Sequence, residues 1–138
     1  TWTGKVCVQG VWVGLAAGKI IAPLVAESQA RGGVIQGLSY ALYEERRLDP
    51  NRGILLNGSL DDYHIAGIGD VPPVGVHFDE SGFANARAGG VGLAELSTLA
   101  TAASLGNALR HALGVRFYEL PIRPDRVLKA CAEGKMDG

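Results

Sequence analysis

Three glycines, Gly32, Gly33 and Gly37, stand inside a stretch that otherwise reads as one long helix. From Leu24 to about Arg47, the residues Val34, Ile35, Leu38 and Leu42 share one helical face. Gln29, Gly33, Gln36 and Tyr40 fall on the opposite face, at steps of four, three and four residues. An interior glycine costs about 1 kcal/mol relative to alanine, so a helix that keeps three of them is expected to lie very close to another segment. One face is therefore expected to be greasy, and the other to be a contact surface of glycine and amide. Pro23 fixes the start, because a missing N–H is harmless in a first turn.

Around this helix the chain reads as short extended pieces and two further helices. Val6 to Val13 is dense in β-branched residues and reads as a strand, followed by a turn from Gly14 to Gly18 and a short extended piece from Lys19 to Ala22. After a turn at Asp49 to Gly53, Ile54 to Leu60 and Val74 to Phe78 read as short strands, with Asp70 to Pro73 as a loop. A small-residue loop from Gly82 to Gly92 leads into a helix with a stripe of Leu96, Leu99, Ala103, Gly106, Leu109 and Leu113, ended by Gly114. Val115 to Leu120 reads as extended, and Asp125 to Ala132 as a short terminal helix. With no internal repeat and no linker, residues 1–138 are expected to form a single α+β unit, two main helices packed on short strands.

Several function classes are excluded by what is missing. Thirteen basic against 14 acidic side chains, with no basic cluster interleaved with aromatics, argues against nucleic acid as partner. The apolar run from Val11 to Ala26 is broken by Lys19 and Pro23 and is too short to span a bilayer, and no signal peptide precedes it. Cys7 and Cys131 lie near opposite ends and read as isolated thiols. His64, His77 and His111 lack metal-ligand spacing, so no metal is expected on side chains of this chain. The GLAAGK run from Gly14 to Lys19 lacks a Ser/Thr after the lysine and is short by one residue for a phosphate loop. Ser39 lies in mid-helix, without the preceding strand that a nucleophile elbow requires. Glu95 follows a glycine-rich loop and leads a helix, where exposed amides and the helix dipole favour negative charge. A first-turn glutamate most often serves that purpose alone. The chain opens with Thr rather than Met, which reads as a piece of something larger.

The segment Gln29 Ala30 Arg31 Gly32 Gly33 Val34 Ile35 Gln36 Gly37, continuing to Ala41 Leu42 Tyr43 Glu44 Glu45, closely resembles a stretch of one known family. It is the QxEGGxxQG…ALxEE stretch of the molybdopterin-binding subunits of the xanthine dehydrogenase and aldehyde oxidase family. Gly18 to Pro23 is similar to that family's GRxxNP lead-in, and Asp62 Tyr63 and Asp70 Val71 Pro72 to its DY and DVP landmarks. Gly92 Leu93 Ala94 Glu95 falls where the family has GxGE. Asn107 Ala108, Gly114 Val115 Arg116 and Glu119 Leu120 Pro121 Ile122 match its NA…GVR…ELP ending, and order and spacing hold from about Gly14 to Ala130.

The resemblance implies that the chain is the C-terminal portion of a molybdenum hydroxylase large subunit several times its length. It implies that Gln29 and Gly92 contact the cofactor, Gln29 as the glutamine that hydrogen-bonds the molybdenum centre, and that Glu95 is the catalytic base. In the family that glutamate takes the proton of the metal's hydroxyl ligand as the oxygen attacks an electron-poor carbon of an aldehyde or N-heterocycle, while hydride passes to a sulfido ligand. The protein supplies geometry and a base, and the cofactor supplies the redox chemistry. Implied cofactors and partners are molybdopterin in its cytosine dinucleotide form, the remainder of the subunit, an iron–sulfur subunit and an FAD subunit. A cytoplasmic location is expected, with the periplasm as the alternative. Three positions depart from the pattern: Arg31 replaces the acid of QxEGG, Val91 stands where many members carry lysine, and Ala94 replaces the glycine before the glutamate. They are the support for an alternative reading, a noncatalytic remnant or assembly module of the same fold.

Overall fold

The computed structural model of the chain describes residues 2–133. Its frame is a strand, a long helix and a second strand, β1 (Val11–Ala16), α1 (Pro23–Leu42) and β2 (Val74–Asp79). The strands are parallel neighbours, from Val11 opposite Val74 to Ala16 opposite Asp79. Parallel strands cannot be joined by a tight turn, so the connection crosses back through α1. Three further helices follow, α2 (Leu96–Leu99), α3 (Thr101–Leu113) and α4 (Pro124–Glu133). No helix among the described residues is long and apolar enough to cross a membrane.

The core lies where α1 meets the sheet, α3 and α4. Val34, Leu38, Ala41 and Leu42 of α1 are buried with Val74, Leu105, Leu109, Ile122 and Val127. Each large aliphatic side chain fully removed from water contributes about 1.5–3 kcal/mol. This is the α+β arrangement of two main helices on short strands expected from the sequence. α1 is covered along a second stripe as well, because Gly33 and Gly37 are also buried.

The elements differ from expectation in four places. The first strand starts at Val11 rather than Val6 and runs through Gly14, which was expected to turn. Pairing decides this: the Val11 N–H donates to the Pro73 carbonyl (3.0 Å), and β2 extends alongside as far as Ala16. Val6 and Val8 only pack against the core. Helix α1 stops at Leu42 rather than near Arg47. Beyond it, the buried Asn57 amide accepts from the Arg47 N–H (2.9 Å) and donates to the Glu45 carbonyl (2.6 Å). The next backbone groups are thus drawn to a side chain instead of another helical turn.

Ile54 to Leu60 forms no strand. Leu48 and Leu55 make an isolated antiparallel bridge around a turn at Gly53, and Ile54, Leu55 and Leu56 are exposed. The helix expected to begin at Glu95 is divided into α2 and α3, with the Thr101 hydroxyl donating to the Ser97 carbonyl (2.8 Å) where one gives way to the other. Its buried stripe is Ser97, Thr101, Leu105 and Leu109, while Leu99 and Ala103 are exposed. Apolarity alone misassigned that face, because two hydroxyl residues go inward against the glycines of α1. Gly114 ends α3 in the left-handed conformation (φ 76°), its N–H on the Arg110 carbonyl (2.8 Å), as its position in the sequence requires.

Candidate functional site

The glycine and amide face of α1 is occupied by the segment that carries Glu95. A methyl group on Gly33 would meet the Ser97 and Thr98 hydroxyls, and one on Gly37 would come within 2.5 Å of Thr101 Cβ. Gly32 is different, with nothing within 4 Å of a methyl placed there. Two of the three glycines therefore exist for close approach, as the helix pattern suggested, and the third faces open space.

At one end of this contact, Gln29 donates from Nε2 to the Ala94 carbonyl (2.5 Å), 65 residues away in sequence. At the other, Tyr40 donates its hydroxyl to the Thr98 carbonyl (3.1 Å). Glu95 lies between, at the N-terminal boundary of α2, where its own carbonyl accepts from the Thr98 N–H (3.0 Å). Its carboxylate is exposed. Gln29 is exposed as well, and its Oε1 has no partner among the described residues.

The loop before Glu95 is held from the other side by the end of β1. Lys19 donates its N–H to the Gly89 carbonyl and Val91 donates to the Ala17 carbonyl, both at 2.9 Å, around a bridge between Gly18 and Gly90. Gly18 has φ 72°, and a side chain there would run into the Gly89 carbonyl, so only glycine suits the crossing. The GLAAGK run is thus a strand and its exit, fastened to the Glu95 loop. Gly92, three residues before Glu95, is exposed, and nothing among the described residues lies within 4 Å of a methyl placed there.

Beside Gln29, a shallow groove of about 380 Å³ runs over Leu24, Val25, Ser28, Gly32 and Gln36. Behind α2, a second cleft of about 330 Å³ lies between β1 and α3, with Ser97 and Thr101 in its wall. The Ser97 and Thr98 hydroxyls are buried without a hydrogen-bond partner among the described residues. The motif reading did not single out this hydroxyl pair, nor the hydrogen bond from Tyr40. Polar residues two and three places after a glutamate carry no signal until the glycines of α1 are known to face them. Among the described residues, no group of three or more His, Cys, Asp or Glu is placed to hold a metal ion.

The chain matches known proteins along most of its length. A family model described as a molybdopterin cofactor-binding domain matches residues 1–72. The xanthine dehydrogenase molybdenum-binding subunit of Escherichia coli is 34% identical over 111 residues, covering 80% of this chain and 15% of that protein. The nicotine 6-hydroxylase large subunit of Paenarthrobacter nicotinovorans is 34% identical over 131 residues, covering 93% of this chain and 16% of that one. Among solved structures, the aldehyde oxidoreductase of Desulfovibrio desulfuricans superposes with a TM-score of 0.83 at 29% identity, over 94% of this chain and 14% of that chain. The chain thus spans about a sixth of the length of the curated relatives it matches.

Proposed function

This chain belongs to the molybdopterin cofactor-binding family of xanthine dehydrogenase and aldehyde oxidoreductase molybdenum-binding subunits, and on that premise we propose that it is the C-terminal portion, residues 1–138, of a molybdenum hydroxylase large subunit. In this reading Glu95 is the catalytic base, and Gln29 and Gly92 contact the cofactor. The assembled protein is an oxidoreductase that hydroxylates an aldehyde or N-heterocycle, with water as the oxygen donor. The observation that carries the reading is the hydrogen bond from Gln29 to Ala94, which joins the two motifs across 65 residues and holds the exposed Gln29 on the residue next in sequence to the exposed Glu95.

The residues present fit one flank of the cofactor. Among the described residues Gln29 offers an unpartnered Oε1 and Gly32 leaves open space where a side chain would stand, and both line one shallow groove along α1. When bound, the molybdenum cofactor supplies the two-electron redox chemistry. Gln29 would hold it by hydrogen bonding through its free Oε1. Glu95 accepts the proton released from water-derived oxygen, a role that requires its carboxylate within about 3 Å of that proton. We assign the cytosine dinucleotide form to the cofactor, and an iron–sulfur subunit and an FAD subunit to the electron path, on the strength of the family pattern alone.

Replacing Glu95 by Gln in the assembled enzyme keeps the size and hydrogen-bonding reach of the side chain and removes only the base. Turnover is expected to fall by about 10²-fold or more, with bound molybdenum unchanged. Near-normal turnover would remove Glu95 from the mechanism. Loss of molybdenum together with activity would make it a cofactor-holding residue instead.

A further inference from the structure

We propose that Tyr40 is a positioning residue for Glu95: with Gln29 it forms a two-point clamp on α1 that fixes the single helical turn carrying the carboxylate. The inference rests on Glu95 being the base, and adds how it is held.

Helix α2 has only four residues, Leu96–Leu99, and no side-chain hydrogen bond caps its start. A helix so short does not maintain itself, since even favourable sequences need about 12–15 residues to be marginally stable alone. Its position comes from α3, into which it runs through Ala100, and from what it touches, which on this side is α1. Gln29 holds the carbonyl of the residue just before Glu95, and Tyr40 holds the carbonyl three residues after it. Between these points Gly33 and Gly37 present bare backbone, so the turn rests on the helix itself, with no intervening side chain to tilt it.

The two ends of Tyr40 do different things. Its ring packs against the hydrophobic core, half-buried, which fixes where the hydroxyl stands. The hydroxyl reaches the Thr98 carbonyl, which also accepts the Ala100 N–H at the end of α2. A rigid strut thus runs from the core to the turn that bears the base. A base must sit within hydrogen-bond reach of its proton, and small misplacements far from the reacting atoms are costly in rate. A fixed turn meets that requirement where a free loop does not.

The experiment is Tyr40→Phe in the assembled enzyme, which removes one oxygen atom and keeps the ring in the core. The expected result is a fall in kcat of about fivefold, the factor that one neutral hydrogen bond commonly represents, with KM and molybdenum content unchanged. Backbone amides of Leu96 and Thr98 are expected to exchange about fivefold faster with solvent deuterium, while those of Val34 and Leu38 keep their protection. In a Glu95→Gln background the same change is expected to leave the residual rate unaltered, because a positioning residue acts only through the group it positions. Unchanged kcat and unchanged exchange at Leu96 and Thr98 would overturn the clamp. So would an equal effect of Tyr40→Phe with and without the Glu95 carboxylate. If Glu95→Gln alone leaves turnover near normal, it is the base assignment that fails, and faster exchange at Leu96 and Thr98 in Tyr40→Phe would still establish the strut as a structural contact.

Discussion

A methyl group added to Gly33 would lie on the Ser97 and Thr98 hydroxyls, whereas one added to Gly32 would meet nothing. Gly33→Ala is therefore expected to push α2 away from α1, at a cost of about 1–3 kcal/mol of stability. Gly32→Ala is expected to be neutral, or to stabilise by up to about 1 kcal/mol through helix propensity. Urea unfolding midpoints of the two variants check this, and equal effects would mean that the glycines share a purely conformational role. At this scale the sequence was legible in part. Three glycines in a helix announce a close neighbour, and the helical period put Gly33 on the contact face together with Gln29 and Tyr40. The same letters cannot say which glycine bears the contact, because the partner atoms belong to Ser97 and Thr101, more than sixty residues on. Ser97 and Thr101 themselves read as surface residues, since hydroxyls are usually exposed and nothing local marks these two as buried.

The long helix, the β2 strand, the left-handed stop at Gly114 and the last helix could all be read from period and punctuation. What could not be read was set by partners distant in sequence. The start of β1 is decided by β2 and the end of α1 by Asn57, while Ile54 to Leu60 pairs only through the isolated bridge from Leu55 to Leu48 among the described residues. The attachment of α4 shows the same dependence. Arg123 grips Asp125 through two hydrogen bonds (3.1 and 3.0 Å) and reaches Glu45, beyond the end of α1, at 2.6 Å. The Ile122 N–H donates to the Ala41 carbonyl (2.7 Å), so the start of α4 is tied to α1 at both backbone and side chain. The hydrogen bonds from Arg123 are the main reason the Asp125 carboxyl is held below the ordinary aspartate range. A carboxyl with a depressed folded value contributes stability above its unfolded value, and that contribution is lost as pH falls through the folded one. The groups are solvent-exposed, so the effect is small and screened by salt. Amide exchange in α4 is expected to accelerate relative to α1 below about pH 4, and Asp125→Asn is expected to abolish that pH step. A step that persists in the variant would place its origin in another carboxylate.

Over the whole molecule, large apolar side chains remain open to solvent: Trp12 at 84% exposure, Ile21 at 82%, Leu24 at 83% and Leu99 at 74%. Ile21 and Leu24 flank the start of α1, and Leu24 also borders the groove beside Gln29. This exposure supports the proposed packing of the chain against the remainder of a longer subunit, and the chain spans about a sixth of the length of its relatives. Isolated from its natural source without denaturants, the chain is expected to travel in a large assembly containing molybdenum and iron. A native mass with parallel metal analysis checks this, and a large assembly lacking both metals would favour a noncatalytic module of the same fold. The pairing of distant segments also has a consequence in time. Gln29 meets Ala94 across 65 residues and Tyr40 meets Thr98 across 58, so nothing within α1 can place the Glu95 turn before the later part of the chain exists. Closing loops of that length slows folding. During synthesis α1 emerges ahead of α2 and α3, and until they arrive the face they cover is open, a period in which aggregation competes with their arrival.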